Sequence, residues 1–362
     1  MIIVFKKNAQ PEAKLALKKN LEQRGFTIHA SDGVNASLFG IVGDTSILDI
    51  NELYMHDCVE RVVRVTEPFR GGFRPEKGLI EWSRLSVAIV GLGLMGGSYA
   101  KAFRRLGVEQ IIGIERNVEG LVEAQRQKII DIPLVEPGPA LRMADVVVLA
   151  IYPEAMVDYT KAMLPYLKEK VIITDISGIK NDMIAHIQEV LPDTMEFISG
   201  HPMAGRQASG LAMSDANIFH NANYIIVPSE QNTPEGIAWL ETMARNLGCR
   251  NTVRVTPEEH DRTIAYTSHL PHITAVALID SETFDDKSQF FVAGSFRDGT
   301  RVADINPELW ANLFLANKEK VAEELDRYME QLEIWRKALR EGDAETMKEL
   351  MRKSTARRKE LY

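Results

Sequence analysis

The sequence predicts an α/β chain in three parts: a doubly wound parallel sheet in the middle, a small α+β unit before it and an all-helical region after it. Three observations carry this. Continuous apolar runs at 87–90, 111–114, 146–151, 171–174 and 224–227 alternate with helical stretches, as strands buried on both faces do. Before residue 68 the runs follow a βαββαβ order. After Thr256-Pro257-Glu258-Glu259 strand runs stop and helical periodicity takes over.

The first unit spans residues 1–70. Ile2-Ile3-Val4-Phe5 is a short strand, and Pro11 opens a helix on which Leu15, Leu17 and Leu21 recur up to Gly25. Residues 27–30 and 38–42 read as paired strands around Asp32-Gly33, Asp49 caps a short helix, and Val62-Val63-Arg64-Val65 closes the unit. This is the ferredoxin-like pattern. Residues 71–84 read as a linker, since Pro68, Gly71, Gly72 and Pro75 break any regular element. The sheet occupies 85–255. The helical region, 256–362, has one long helix with Val321, Leu325, Met329, Leu332, Trp335 and Leu339 along a face, and a second that starts at Asp343. The basic tail of Arg352, Lys353, Arg357, Arg358 and Lys359 reads as a solvated helix end.

Composition narrows the function. With 43 Lys+Arg against 51 Asp+Glu, the net charge of -8 gives no basic footprint for nucleic acid. No apolar run reaches the length of a membrane span, and the first residues lack a signal-peptide pattern. Two cysteines, Cys58 and Cys249, are too few for a disulfide framework and fit a reducing cytoplasm.

Gly91-Leu92-Gly93-Leu94-Met95-Gly96 follows a strand and opens a helix over 98–106, the context that makes G-x-G-x-x-G a dinucleotide turn. Gly91 makes the tight turn, Gly93 lets the backbone approach a pyrophosphate, and Gly96 permits close helix–strand packing. Leu94 and Met95 lie at the helix N-terminus, whose free N–H groups suit the phosphates. Glu115, at the end of the second strand, is placed to accept the ribose hydroxyls of NAD, while Arg116 beside it leaves NADP open.

Ligands of such sheets sit beyond the carboxyl ends of the strands. Two segments there carry chemistry: 174–180, with Ser177 and Lys180, and 199–205, with His201 between Gly200 and Pro202. The helical region adds His260-Asp261 and Ser268-His269-Leu270-Pro271-His272. Neither a cysteine nor an H-E-x-x-H pattern supports a metal there, and none is expected. Arg301, before a Trp-containing helix, is either a surface ion-pair partner or a carboxylate clamp.

Together the glycine turn, His201-Pro-Met-Ala-Gly205, His269-Leu-Pro-His272 and Thr300-Arg301 resemble the prephenate dehydrogenase family, from about residue 85 to 361. The resemblance implies NAD-dependent oxidative decarboxylation of prephenate to 4-hydroxyphenylpyruvate in tyrosine biosynthesis, by a dimer built on the helical region. It implies that His201 takes the proton of the ring hydroxyl, that Arg301 binds a substrate carboxylate, and that His272 lines the pocket with support from Ser268 and His269. Asp261 would organise the pocket mouth, while Lys180 and the Ser177 hydroxyl would border substrate and nicotinamide. The chain departs from the family pattern at Gly178, where relatives often carry serine, and at Arg206-Gln207, where some place an acid. Arogenate, with an amino group in place of the keto group, is the alternative substrate, and a dead dinucleotide sensor the alternative from another class. Residues 1–70 resemble the regulatory domain of some 3-deoxy-arabino-heptulosonate 7-phosphate synthases, through Met1-Ile2-Ile3-Val4, Gly25-Phe26 and His29-Ala30-Ser31. This implies tyrosine as feedback effector, with His29 and Ser31 on one strand face as its site.

Overall fold

The computed structural model describes residues 2–6, 9–32, 37–42, 48, 53, 56, 58–63, 80–180, 182–206, 208–281 and 287–361. The chain divides into two compact units, Met1–Lys77 and Gly78–Tyr362.

In the first unit, β1 (Ile2–Phe5), α1 (Pro11–Gln23), β2 (Thr27–Asp32), β3 (Ser37–Val42) and β4 (Val59–Val63) form an antiparallel sheet ordered β2-β3-β1-β4. Pro11 stands in the first turn of α1, where its missing N–H has no helical partner to lose. Leu17 and Leu21, one helical turn apart, are buried with Ile3, Phe5, Phe26, Phe39 and Val62. This is the strand order of the ferredoxin-like fold. The expected helix cap at Asp49, the turn residue Gly33, the closing residues Arg64 and Val65, and the linker residues 68–75 lie outside the described residues.

In the second unit, Trp82 sits in the segment read as linker and is buried against Phe103. Six parallel strands follow: β5 (Ser86–Val90), β6 (Gln110–Ile114), β7 (Ile132–Leu134), β8 (Val146–Leu149), β9 (Ile172–Asp175) and β10 (Glu196–Phe197). Their order is β10-β9-β8-β5-β6-β7, all pairs parallel. This is the Rossmann arrangement, with its switch point between β5 and β8. Every residue of β8 is buried, because helices cover both sheet faces. Each such valine or leucine contributes about 1.5–3 kcal/mol. α2 (Leu94–Arg105), α3 (Val118–Arg126), α4 (Pro153–Met163) and α5 (Met183–Val190) are the crossovers. α2 starts at Leu94, inside the glycine motif and ahead of the expected 98, because Gly93 already serves as its N-cap.

One expected strand goes elsewhere. The 224–227 run is β12 (Asn223–Val227), which leaves the parallel sheet for a three-stranded one with β11 (Ser199–Pro202), antiparallel, and β13 (Asn251–Arg254), parallel. Tyr224 and Ile226 on its one face join the core cluster that holds Val87 and Ile89 of β5, while Val227 joins the one that holds Ala88 and Val90. α6 (Pro234–Leu247) links β12 to β13.

Beyond residue 256 the described residues are helical. α7 (Pro257–Ile264) opens with a capping box between Thr256 and Glu259. It runs through a π-helical turn, 265–269, into α8 (Leu270–Ile279). Pro271 has no N–H for the carbonyl four residues back, which accounts for the widened turn. α9 (Gly294–Thr300), α10 (Pro307–Ala316), α11 (Lys318–Glu341) and α12 (Ala344–Leu361) complete the chain. Asp343 caps α12 by accepting from Thr346 N. Of the apolar face expected on α11, Val321 is buried, but Met329, Leu332 and Leu339 are 58%, 48% and 65% exposed within one chain.

Candidate active site

The cofactor turn is built from backbone. Gly91 has φ +88°, a left-handed conformation that side chains disfavour, and a Cβ there would press on the Ala150 carbonyl. A Cβ on Gly96 would overlap the Gly91 carbonyl oxygen. Gly93 is different: no atom lies within 4 Å of where its Cβ would be, so its open side is free for an approaching phosphate. No side chain caps the N-terminus of α2, which leaves its first N–H groups for an anion. Glu115 at the end of β6 accepts from Leu92 N (2.9 Å) and Asn117 N (3.0 Å), which ties its half-buried carboxylate to the turn. Arg116 is exposed. These residues fit a dinucleotide: a phosphate cradle beside a carboxylate for ribose hydroxyls.

The second part of the site starts at Asp175, the last residue of β9, fully buried. Its Oδ1 accepts from Ser199 Oγ (2.7 Å) and Gly200 N (3.0 Å), and its Oδ2 from Ser177 N (2.9 Å) and Lys180 Nζ (2.7 Å). Lys180 Nζ also donates to Gly200 O (2.8 Å). The pair therefore clamps both peptide groups of Gly200, the residue before His201. A buried ion pair is stable only with such extra hydrogen bonds. Burial pulls the Lys180 ammonium below its ordinary value, with Asp175 and Asp261 opposing.

His201 follows β10, as expected, and is itself a residue of β11, paired with Ile225. It is half-buried, and its Nδ1 lies 2.9 Å from His260 Nε2. His260 Nδ1 lies 2.7 Å from Asp261 Oδ1, which also accepts from Lys180 N (2.9 Å). Burial holds His201 well below the ordinary imidazole value, and the Lys180 charge pushes the same way, with His260 and His269. His201 is thus a free base at neutral pH.

A further cluster lies on α8 and α10. His272 stacks on Trp310 at 3.7 Å between ring centroids, and its Nδ1 donates to the Ser268 carbonyl (2.7 Å). Burial lowers its proton affinity; Arg301 also lowers it, and the Ser268 carbonyl raises it. Arg301 therefore stands close enough to His272 for their charges to interact, in a segment packed on α8. His269, buried, meets Trp310 and Phe314 edge-on, and its Nδ1 has no hydrogen-bond partner among the described residues. Burial pulls it down to about 4.

Three of the residues expected at the site are tied up in bonds within the protein. The Ser177 hydroxyl closes its own loop, donating to Ile179 O (2.7 Å) and accepting from Ile179 N (3.1 Å). Gly178 is the loop residue beside His201: a Cβ there would stand 3.9 Å from Cε1 and 4.0 Å from Nε2. Lys180 has no exposed surface, and its Nζ is engaged with Asp175 and Gly200 O. Asp261 is likewise fully buried, with Oδ1 bonded to His260 Nδ1. Two residues of this network went unassigned from sequence, Asp175 and His260. The signal for His260 was present: with Asp261 and Ile264 it forms the buried stripe of an otherwise charged helix. His29 and Ser31 fall on β2, but their side chains lie outside what the structure describes.

Comparison with known proteins adds to this geometry. Residues 99–253 match the family model of the prephenate dehydrogenase nucleotide-binding domain, and 256–353 that of the prephenate dehydrogenase dimerization domain. The prephenate dehydrogenase of Bacillus subtilis is 31% identical over 272 residues, 72% of each chain. This chain belongs to the prephenate dehydrogenase family. The cyclohexadienyl dehydrogenase of Zymomonas mobilis is 31% identical, over 74% of this chain and 93% of that one. The crystal structure of prephenate dehydrogenase from A. aeolicus with hydroxyphenyl propionate and NAD+ superposes with a TM-score of 0.69, at 28% identity over 77% of this chain and 98% of that one. The chain is an NAD-dependent oxidoreductase. Residues 1–67 match the DAHP synthase ferredoxin-like domain. Among the described residues no helix is long and apolar enough to cross a membrane.

Proposed function

We propose that the chain oxidises prephenate to 4-hydroxyphenylpyruvate and CO2, and that tyrosine restrains it through residues 1–70. The observation that carries the first part is His201, a neutral imidazole held by a buried network, with its Nε2 edge beside Gly178, a residue without a side chain. Gly91, Gly93, Gly96 and Glu115 would hold NAD, which would supply the acceptor for the hydride lost from the ring carbon. His201 takes the proton of the hydroxyl on that carbon. As the ring carboxylate leaves as CO2, its bonding pair enters the ring, and the oxygen that becomes the phenol takes the proton back. General base catalysis of this kind contributes about 10²–10⁴ in rate. Arg301 and His272 lie together and offer a cation and a hydrogen-bonding ring to a substrate carboxylate. Ser268 orients His272 through its carbonyl, and His269 supports Trp310.

The likeness to a cyclohexadienyl dehydrogenase favours arogenate as a second substrate. Exposed Met329, Leu332 and Leu339 on α11, in the part that matches a dimerization domain, support a homodimer. The match of residues 1–67 to a domain of the DAHP synthases supports the tyrosine switch. NADH production from prephenate and from arogenate, each with and without tyrosine, tests the whole reading. Activity with neither substrate overturns the reaction, and unaltered activity under tyrosine overturns the switch.

A further inference from the structure

His260 takes no direct part in the reaction proposed above, yet it is the buried group bonded to His201. It is 2% exposed and stands between two partners of unequal kind. On one side is Asp261 Oδ1, 2.7 Å from His260 Nδ1. On the other is His201 Nδ1, 2.9 Å from His260 Nε2. Asp261 Oδ1 already accepts from Lys180 N, so it is an oxygen that receives hydrogen bonds. A carboxylate has no proton to give, so the hydrogen between it and His260 belongs to His260 Nδ1. With His260 neutral, its Nε2 is then a lone-pair acceptor. The hydrogen between the two rings therefore belongs to His201 Nδ1. The same logic leaves His201 Nε2 without a proton.

We infer that His260, oriented by Asp261, is a positioning residue that fixes His201 in the tautomer whose Nε2 is the base, an inference that rests on the reaction proposed above. The bare nitrogen lies on the ring edge that meets Gly178: a Cβ built on Gly178 would stand 4.0 Å from Nε2 and 3.8 Å from Leu313 of α10. Once Nε2 accepts a proton, the Nδ1–H···Nε2 bond lets the positive charge relax toward His260 and the Asp261 carboxylate. The other charged or titratable groups that act on the two rings are Lys180, Asp175 and His269. Lys180 resists a lasting positive charge on either ring, which keeps the acceptor state neutral between turnovers. The arrangement resembles the base-and-orienter pairs of acyl-transfer enzymes, with a second imidazole inserted between base and carboxylate.

Two variants and one spectrum test this on the full chain. His260→Phe keeps a ring in the buried slot but removes the acceptor. It should lower kcat for prephenate by about 10²-fold while leaving KM and the Kd for NAD within about threefold. His260→Gln places a carbonyl oxygen where Nε2 was, and should recover at least about tenfold of that loss. In ¹⁵N spectra of histidine-labelled wild type, with His201 assigned by its loss in His201→Asn, Nδ1 should show the shift of a protonated nitrogen and Nε2 that of a bare one. A His260→Phe enzyme within twofold of wild type overturns the inference. So does a His260→Gln enzyme no better than His260→Phe when both bind NAD. If His260→Phe does not fold, a wild-type spectrum with the proton on Nε2 overturns it alone. A wild type that makes NADH from neither prephenate nor arogenate defeats the proposed reaction, while the spectrum still decides the tautomer.

Discussion

His201 and His272 are both neutral imidazoles in one site, but they are held in different ways. His201 is bonded through a second histidine to a buried carboxylate, with a buried lysine–aspartate pair gripping the residue before it. His272 is bonded to the backbone carbonyl of Ser268, stacked on Trp310, and placed near exposed Arg301. The difference teaches what each can do. The first is held rigidly by long-range bonds, which suits a group that must meet a proton at one atom. The second is held locally and faces a cation, which suits the recognition of an anion.

The largest expected effect tests the first half of that contrast. His201→Asn should lower kcat by about 10²-fold or more and leave NAD affinity near wild type, as steady-state rates and a binding titration would show. A variant within twofold of wild type would place the base elsewhere. The second half is tested by Arg301→Gln. Because Arg301 is exposed, the effect expected is about tenfold in KM for prephenate with kcat little altered, smaller than for a buried clamp. A fall in kcat with KM unchanged would move Arg301 into the chemical step.

The histidines also differ from ordinary ones in their response to pH. His201 is held well below the usual value, so the acid limb of kcat/KM should fall below pH 6.5. Stability should follow the same sign. A histidine kept neutral by burial binds fewer protons folded than unfolded, so its contribution is full above the unfolded value near 6.5 and is lost as pH falls. For His269, pulled to about 4, the loss runs from about pH 6.5 down to 4. It amounts to about 3 kcal/mol by linkage. His269→Phe also removes the unpartnered Nδ1, and should flatten that slope in urea unfolding measured at several pH values. An unchanged slope would mean that His269 titrates normally.

The smaller effects concern the parts outside this contrast. Removal of residues 1–70 should leave an active dehydrogenase that has lost most of its tyrosine inhibition, a coupling of about 1–3 kcal/mol. An identical inhibition curve would give the first unit another role. NAD should outperform NADP, since Glu115 faces the turn through Leu92 N while Arg116 points into solvent. The reverse preference would show that Arg116 governs the ribose.

Much of this was legible because it is local. A strand followed by Gly91-Leu92-Gly93-Leu94-Met95-Gly96 dictates a turn whose glycines have steric reasons within a few residues. The continuous apolar run at β8 announces burial on both sides, and the Leu17–Leu21 spacing announces the buried face of α1. His201, between Gly200 and Pro202, was visible for the same reason. What was misread is non-local. The Tyr224–Val227 run is as apolar as a strand of the main sheet, and nothing in it states that its partners are Ser199–Pro202 and Asn251–Arg254. Ser177 has a reactive hydroxyl by type, but the backbone of Ile179 claims it only once the loop is folded.

By itself, the sequence determined the order of elements, the cofactor turn and the kinds of side chain available for proton transfer, because these depend on periodicity and on neighbours along the chain. Only the tertiary structure decided which histidine bonds to which. His201 and His260 are 59 positions apart, and Lys180 and Asp261 are 81 apart. Their meeting requires β11 to leave the parallel sheet and α7 to pack against the 177–180 loop. A hydrogen bond depends on distances of a few tenths of an ångström, and those are set by the packing of the whole unit, which no short stretch of chain encodes.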